Sequence, residues 1–97
     1  MAGQIRMSPE AMRDKAKQYE DQGGVVNGVI GTLDKLLAAL QSEWEGTASE
    51  SYGARYGELR PSFVQAEQLI NDIAQALKAT AQVVEQADAD IAKQFRA

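Results

Sequence analysis

At 97 residues, 44% of them hydrophobic and 25% charged, the chain is sized for one domain with enough apolar side chains to build a core. The net charge is −4, and each side of Gly46 carries five basic and seven acidic residues, so neither half offers the basic stripe that a phosphate backbone requires; nucleic acid is not an expected partner. With no cysteine and no histidine, disulfides, thiolate metal sites and the usual nucleophile–base pairs are all excluded.

The N-terminal stretch MAGQIRMSPEAMRDK lacks the apolar core of a cleavable signal peptide, and nowhere do 18 consecutive apolar residues occur. Direct membrane insertion is therefore not expected, and export would have to rely on another address. Ser8-Pro9-Glu10 reads as a helix start, because Ser8 can accept a backbone N–H as cap and Pro9 lacks only a donor that the first turn leaves unused.

From there Met12, Ala16, Tyr19, Gly23, Val26, Ile30, Leu33, Leu37, Leu40 and Trp44 recur at alternating steps of four and three. Every position is apolar or glycine, the period by which helices pack side by side. A period of 3.6 would drift by about 90° over this length, so the coiled version is favoured. Gly23, Gly24, Gly28 and Gly31 weaken the same helix by about 1 kcal/mol each relative to alanine. Two readings of Gly23-Gly24 stay open: close approach of another helix, or a local break.

Gly46 can take a positive φ that ends a helix, and Thr47-Ala48-Ser49-Glu50 matches the capping box that starts one. Trp44, Tyr52 and Tyr56 should then converge at the bend, with the indole plugging the open end of a hairpin. The second helix carries the matching series Tyr52, Tyr56, Leu59, Phe63, Ala66, Ile70, Ile73, Leu77, Thr80, Val84, Ala87 and Ile91. It runs in phase through Pro61, which deprives the carbonyl of Gly57 of its donor and should kink the helix without ending it.

The expected fold is all-α: one antiparallel helix-turn-helix hairpin spanning 1–97, with helix one over about 8–43, the turn over about 44–46 and helix two over about 47–94. Counting outward from the turn pairs Leu40 with Tyr56, Leu33 with Phe63, Val26 with Ile70, Tyr19 with Leu77 and Met12 with Val84. A second apolar line, Val29 and Leu36 on helix one with Leu69, Ala76 and Val83 on helix two, lies outside that pairing. Two helices bury one seam between themselves, so the second line predicts a dimer interface at Val29, Leu36, Leu69 and Val83 that completes a four-helix bundle.

No catalytic, cofactor-binding or metal site is expected. The serines fall mostly near helix ends, and the carboxylate pairs Glu43/Glu45 and Asp88/Asp90 are two apart, which points them to different helical faces.

A chain of this length, with two helices and Trp44-Glu45-Gly46 at the central turn, resembles the WXG-motif family of Esx-type proteins, small substrates of Gram-positive type VII secretion systems. Ile5-Arg6-Met7-Ser8-Pro9-Glu10 is also similar to the start of Gram-positive members. The resemblance implies a turn motif at Trp44 and Gly46 and a C-terminal secretion signal at Val84, Asp88, Ile91 and Phe95. Valine in the first place of that signal favours a Firmicutes-type system. Steps of four, three and four set these four side chains on one helical face. The resemblance further implies secretion without a cleavable signal peptide, as a folded homodimer, through a membrane-anchored secretion ATPase. The exported protein would act by protein contacts as a virulence or accessory factor. The alternative is an adaptor that brings a larger co-secreted toxin to the exporter.

Overall fold

The computed structural model describes residues 7–44 and 46–96. Ile5 and Arg6 of the N-terminal resemblance, and Glu45 of the turn motif, lie outside the described residues. Two helices make up the chain, α1 (Pro9–Glu43) and α2 (Thr47–Arg96), folded back on each other as a rod of 77 × 23 × 16 Å.

Capping follows the sequence at one end of α1 and departs from it at the start of α2. Ser8 Oγ accepts the N–H of Ala11 at 3.1 Å, with Pro9 in the first turn. The N–H of Trp44 donates to the carbonyl of Leu40 at 2.8 Å, and Trp44 itself is extended. Gly46 has a φ of 143°, a value that L side chains rarely adopt, and its carbonyl accepts the N–H of Glu50 at 3.2 Å. Gly46 is thus the residue from which α2 departs, and Thr47 is already helical. The expected capping box, which needs Thr47 outside the helix, is therefore not formed: Gly46 holds the cap position and has no side chain to close it.

Gly23-Gly24 does not break α1, which runs continuously for 35 residues. Gly23 is buried against α2, and a Cβ there would lie 2.6 Å from Asn71 Oδ1. Of the two open readings, close helix approach is therefore the one realised. Across the hairpin the tightest packing is between small residues: Ala16, Ala74 and Ala81 are fully buried, alongside Met12 and Ile30. Pro61 lies within α2, which continues unbroken beyond it.

The seam expected on α2 is only partly turned inward. Tyr56, Ile70, Ile73, Leu77 and Val84 are partly buried, while Tyr52, Leu59, Phe63, Ala66, Thr80, Ala87 and Ile91 are exposed. The inward places alternating with the first set fall one residue later, at Arg60, Glu67, Ala74 and Ala81, where Ala74 and Ala81 are buried and Arg60 and Glu67 reach across to α1. The same shift occurs on α1. Asn27, Asp34 and Gln41, each one residue after an expected apolar position, meet α2, while Tyr19 and Leu40 are left exposed.

A polar ladder results along one flank of the hairpin, with a rung every seven residues of α1. Arg13 pairs with Glu85, Glu20 with Lys78 at 2.9 Å, and Asn27 donates to Glu67 at 3.2 Å. Arg60 forks onto both oxygens of Asp34 at 2.9 and 2.8 Å, and Tyr56 donates its hydroxyl to Asp34 at 2.6 Å. Gln41 lies over Gly53, where any Cβ would collide with its side-chain amide. A residue three places after a seam position and one four places after it sit on opposite sides of the seam. Tyr19, Val26, Leu33 and Leu40 therefore share the other flank with Leu59, Ala66, Ile73 and Thr80.

One 18-residue window of α1 has a mean hydropathy of 1.3 with only 11% of it buried, enough by length and composition to cross a membrane. The same property belongs to a helix whose apolar side is covered by a protein partner.

Two consequences are measurable by chemical denaturation. Gly24→Ala and Gly28→Ala place a methyl in open space and should each add about 0.5–1 kcal/mol of stability, whereas Gly23→Val should destabilise the hairpin. The fork from Arg60, helped by Tyr56, holds the Asp34 carboxyl at about 2 against an ordinary 3.8. Its folded value lies below its unfolded one, so its contribution is complete above the unfolded value and is lost as pH falls from 3.8 towards 2. Arg13 depresses Glu85 in the same sense. Asp34→Asn should flatten the acid limb of the denaturation midpoint plotted against pH.

Candidate functional site

Three surfaces carry the residues singled out by the sequence: the turn, the C-terminal part of α2, and the apolar flank. None of them has the form of a chemical site. No group of acidic side chains that could hold a metal ion occurs among the described residues.

At the turn, Trp44 does not plug the hairpin. Its side chain is 40% exposed and packs against Tyr52, ring centroids 5.9 Å apart at 49°. Tyr56, expected as the third ring, points instead into the ladder, where its hydroxyl is held by Asp34. The hairpin end is closed by Gln41 over Gly53, a contact of small and polar groups that leaves no interior space for an indole. Gln41, Trp44, Gly46, Ser49 and Glu50 line an open cleft of about 340 Å³ beside the turn. Among them Ser49 is buried and Trp44 forms the apolar wall.

On α2 the last ion pair with α1 is Glu85 with Arg13; α1 begins four residues before Arg13, at Pro9, whereas α2 runs eleven residues beyond Glu85, to Arg96. The four stripe residues are therefore in two environments. Val84 is partly buried in the hairpin, while Asp88, Ile91 and Phe95 stand clear, Phe95 at 87% exposure. A carboxylate sits between the two clear apolar side chains and the hairpin, all on one face.

Along the flank opposite the ladder, Val29, Leu36, Leu69 and Val83 are all exposed, Leu36 and Leu69 at 60% and Val83 at 68%. The outward turn of part of the α2 seam adds Leu59 and Phe63 to them. This flank is wider than the sequence suggested, because residues assigned to the intrachain seam belong to it. The missed signal was the recurrence of Arg13, Glu20, Asn27, Asp34 and Gln41 at a spacing of seven, which marks the polar side of α1.

The two-helix hairpin thus has one polar flank, one long apolar flank and an apolar stripe on its projecting helix. The chain belongs to the WXG100 family, described as proteins of 100 residues with WXG, whose model matches residues 4–89. Ile91 and Phe95 lie beyond the matched span. The chain is 41% identical over 96 residues to Protein YukE of Bacillus subtilis, covering 99% of each. It is 28% identical over 91 residues to the type VII secretion system extracellular protein A of Staphylococcus aureus, covering 94% of each. Among solved structures it superposes on EsxA of Geobacillus thermodenitrificans with a TM-score of 0.86 at 41% identity, over 95% of this chain and 99% of that one.

Proposed function

We propose that the chain is a secreted substrate of a type VII system, exported as a folded homodimer whose two hairpins form an antiparallel four-helix bundle. The observation that carries this reading is the flank of Val29, Leu36, Leu69 and Val83, too apolar and too long to be left in water. Covering the remaining half of each such side chain contributes on the order of 1 kcal/mol, so eight of them across a dimer supply about 8 kcal/mol. Association costs about 4–15 kcal/mol, so the wider flank with Tyr19, Leu40, Leu59 and Phe63 is needed to make the dimer firm.

The name of the Staphylococcus aureus relative supports export by this route. Asp88, Ile91 and Phe95 supply the handle that a membrane-anchored secretion ATPase would read, with Val84 anchoring it to the hairpin. In an antiparallel dimer the turn of one copy, with Trp44 and Gly46, lies beside the C-terminal part of α2 of the other, so turn and stripe form one composite surface. Outside the cell the protein acts by contact, as a virulence or accessory factor.

Sedimentation equilibrium tests the assembly: the wild type should have the mass of a dimer, and Leu69→Asp should be a helical monomer, because a carboxylate would be buried without a partner. A monomeric wild type would sink the homodimer. Export tests the handle: Asp88→Ala should remain dimeric and accumulate inside the cell, and its undiminished appearance in the medium would refute the role given to the stripe.

A further inference from the structure

Lys15, Gln18, Tyr19 and Gln22 surround a shallow recess of about 260 Å³ on the outer side of α1. Their spacing of i, i+3, i+4 and i+7 is the diamond of four residues into which a neighbouring helix inserts one apolar side chain. No residue of the hairpin occupies it, and α2 packs on a different side of α1. Two of its members, Lys15 and Gln22, belong to the same seven-residue line as Val29 and Leu36. That line reads Lys15, Gln22, Val29, Leu36, Glu43: basic at one end, acidic at the other and apolar between.

We propose that Leu36 of a second copy fills this recess, and that the contact sets the register of the antiparallel dimer. The inference rests on the homodimer reading and names what that reading leaves open, namely how far one hairpin is slid along the other. Two hairpins stacked face to face and antiparallel are related by a twofold axis across the helices, which lays α1 on α1 and α2 on α2. Leu36, 60% exposed, is the large apolar side chain of the line nearest its acidic end. The recess is centred between Gln18 and Tyr19, so the axis falls at its midpoint with Leu36, beside Asn27.

Two independent features agree with an axis at that level. Glu43 of the second copy comes within about one helical turn, roughly 5 Å along the axis, of Lys15, close enough for the long lysine side chain to reach it. Neither residue has an ion-pair partner within the hairpin among the described residues, so each is available to the other. On the neighbouring helix, Asn27 hydrogen bonds to Glu67, which puts Leu69 at the level of the axis, where it meets its own symmetry mate. Leu69 is one of the most exposed aliphatic side chains of the hairpin, at 60%.

The chain has no cysteine, so single substitutions report register directly. Gln18→Cys and Leu36→Cys, both on the surface and outside the hairpin core, should form a disulfide-linked pair when the two variants are mixed and mildly oxidised, and neither variant alone should do so. Lys15→Glu should weaken dimerisation roughly tenfold, since two rim pairs become two repulsions, and Lys15→Glu with Glu43→Lys should restore it. A protein that sediments as a dimer but yields no mixed disulfide, or whose Kd is unchanged by Lys15→Glu, overturns the register and leaves the homodimer standing. A monomer at all concentrations overturns both.

Discussion

Close approach of the two helices through small residues is the constraint on which the remaining structure depends. Gly23, Ala16, Ala74 and Ala81 are buried between α1 and α2, and a bulkier residue at Gly23 would push Asn71 aside. Interiors are packed to crystalline density, so a thin rod with only two layers of backbone has no room for every large side chain it carries. Leucine, phenylalanine and tyrosine are displaced to the margins of the contact. The polar partners on one margin find each other across the hairpin, and the apolar ones on the other margin face outward.

Sidedness follows from that displacement. On the ladder side the individual ion pairs are exposed and contribute little free energy each, but they satisfy the flank chemically and leave it with no demand for a partner. The opposite flank is unsatisfied in the hydrophobic sense. It also accounts for the helix-wide hydropathy of α1, whose most apolar window is barely buried by its own chain. In the proposed homodimer a partner hairpin would cover such a surface with side chains of the same kind, and the charged ends of the Lys15–Glu43 line would set its alignment.

Unequal helix lengths then separate assembly from recognition. α1 has 35 residues and α2 has 50, and the C-terminal end of α2 runs on past the level of Pro9, where α1 begins. Apolar residues within the overlap include the hairpin core, while Ile91 and Phe95, beyond it, are exposed. At the other end of the hairpin Trp44 packs on Tyr52 outside the core, beside the cleft at the turn.

The sequence by itself determined the two helices, the cap at Ser8, the bend at Gly46 and the family, because each of these depends on local chemistry or on a repeat that the chain displays in one dimension. The stripe at Val84, Asp88, Ile91 and Phe95 was legible as one helical face for the same reason. Only the tertiary structure decided which part of the α2 seam turns inward, that Tyr56 leaves the aromatic cluster for Asp34, and that Trp44 stays at the surface. An apolar repeat states that a helix has a buried side without stating its angle. At that resolution Leu59 and Arg60 differ by a single position, and the choice between them is made by the volume available across the hairpin, where small and polar groups fit and large ones do not.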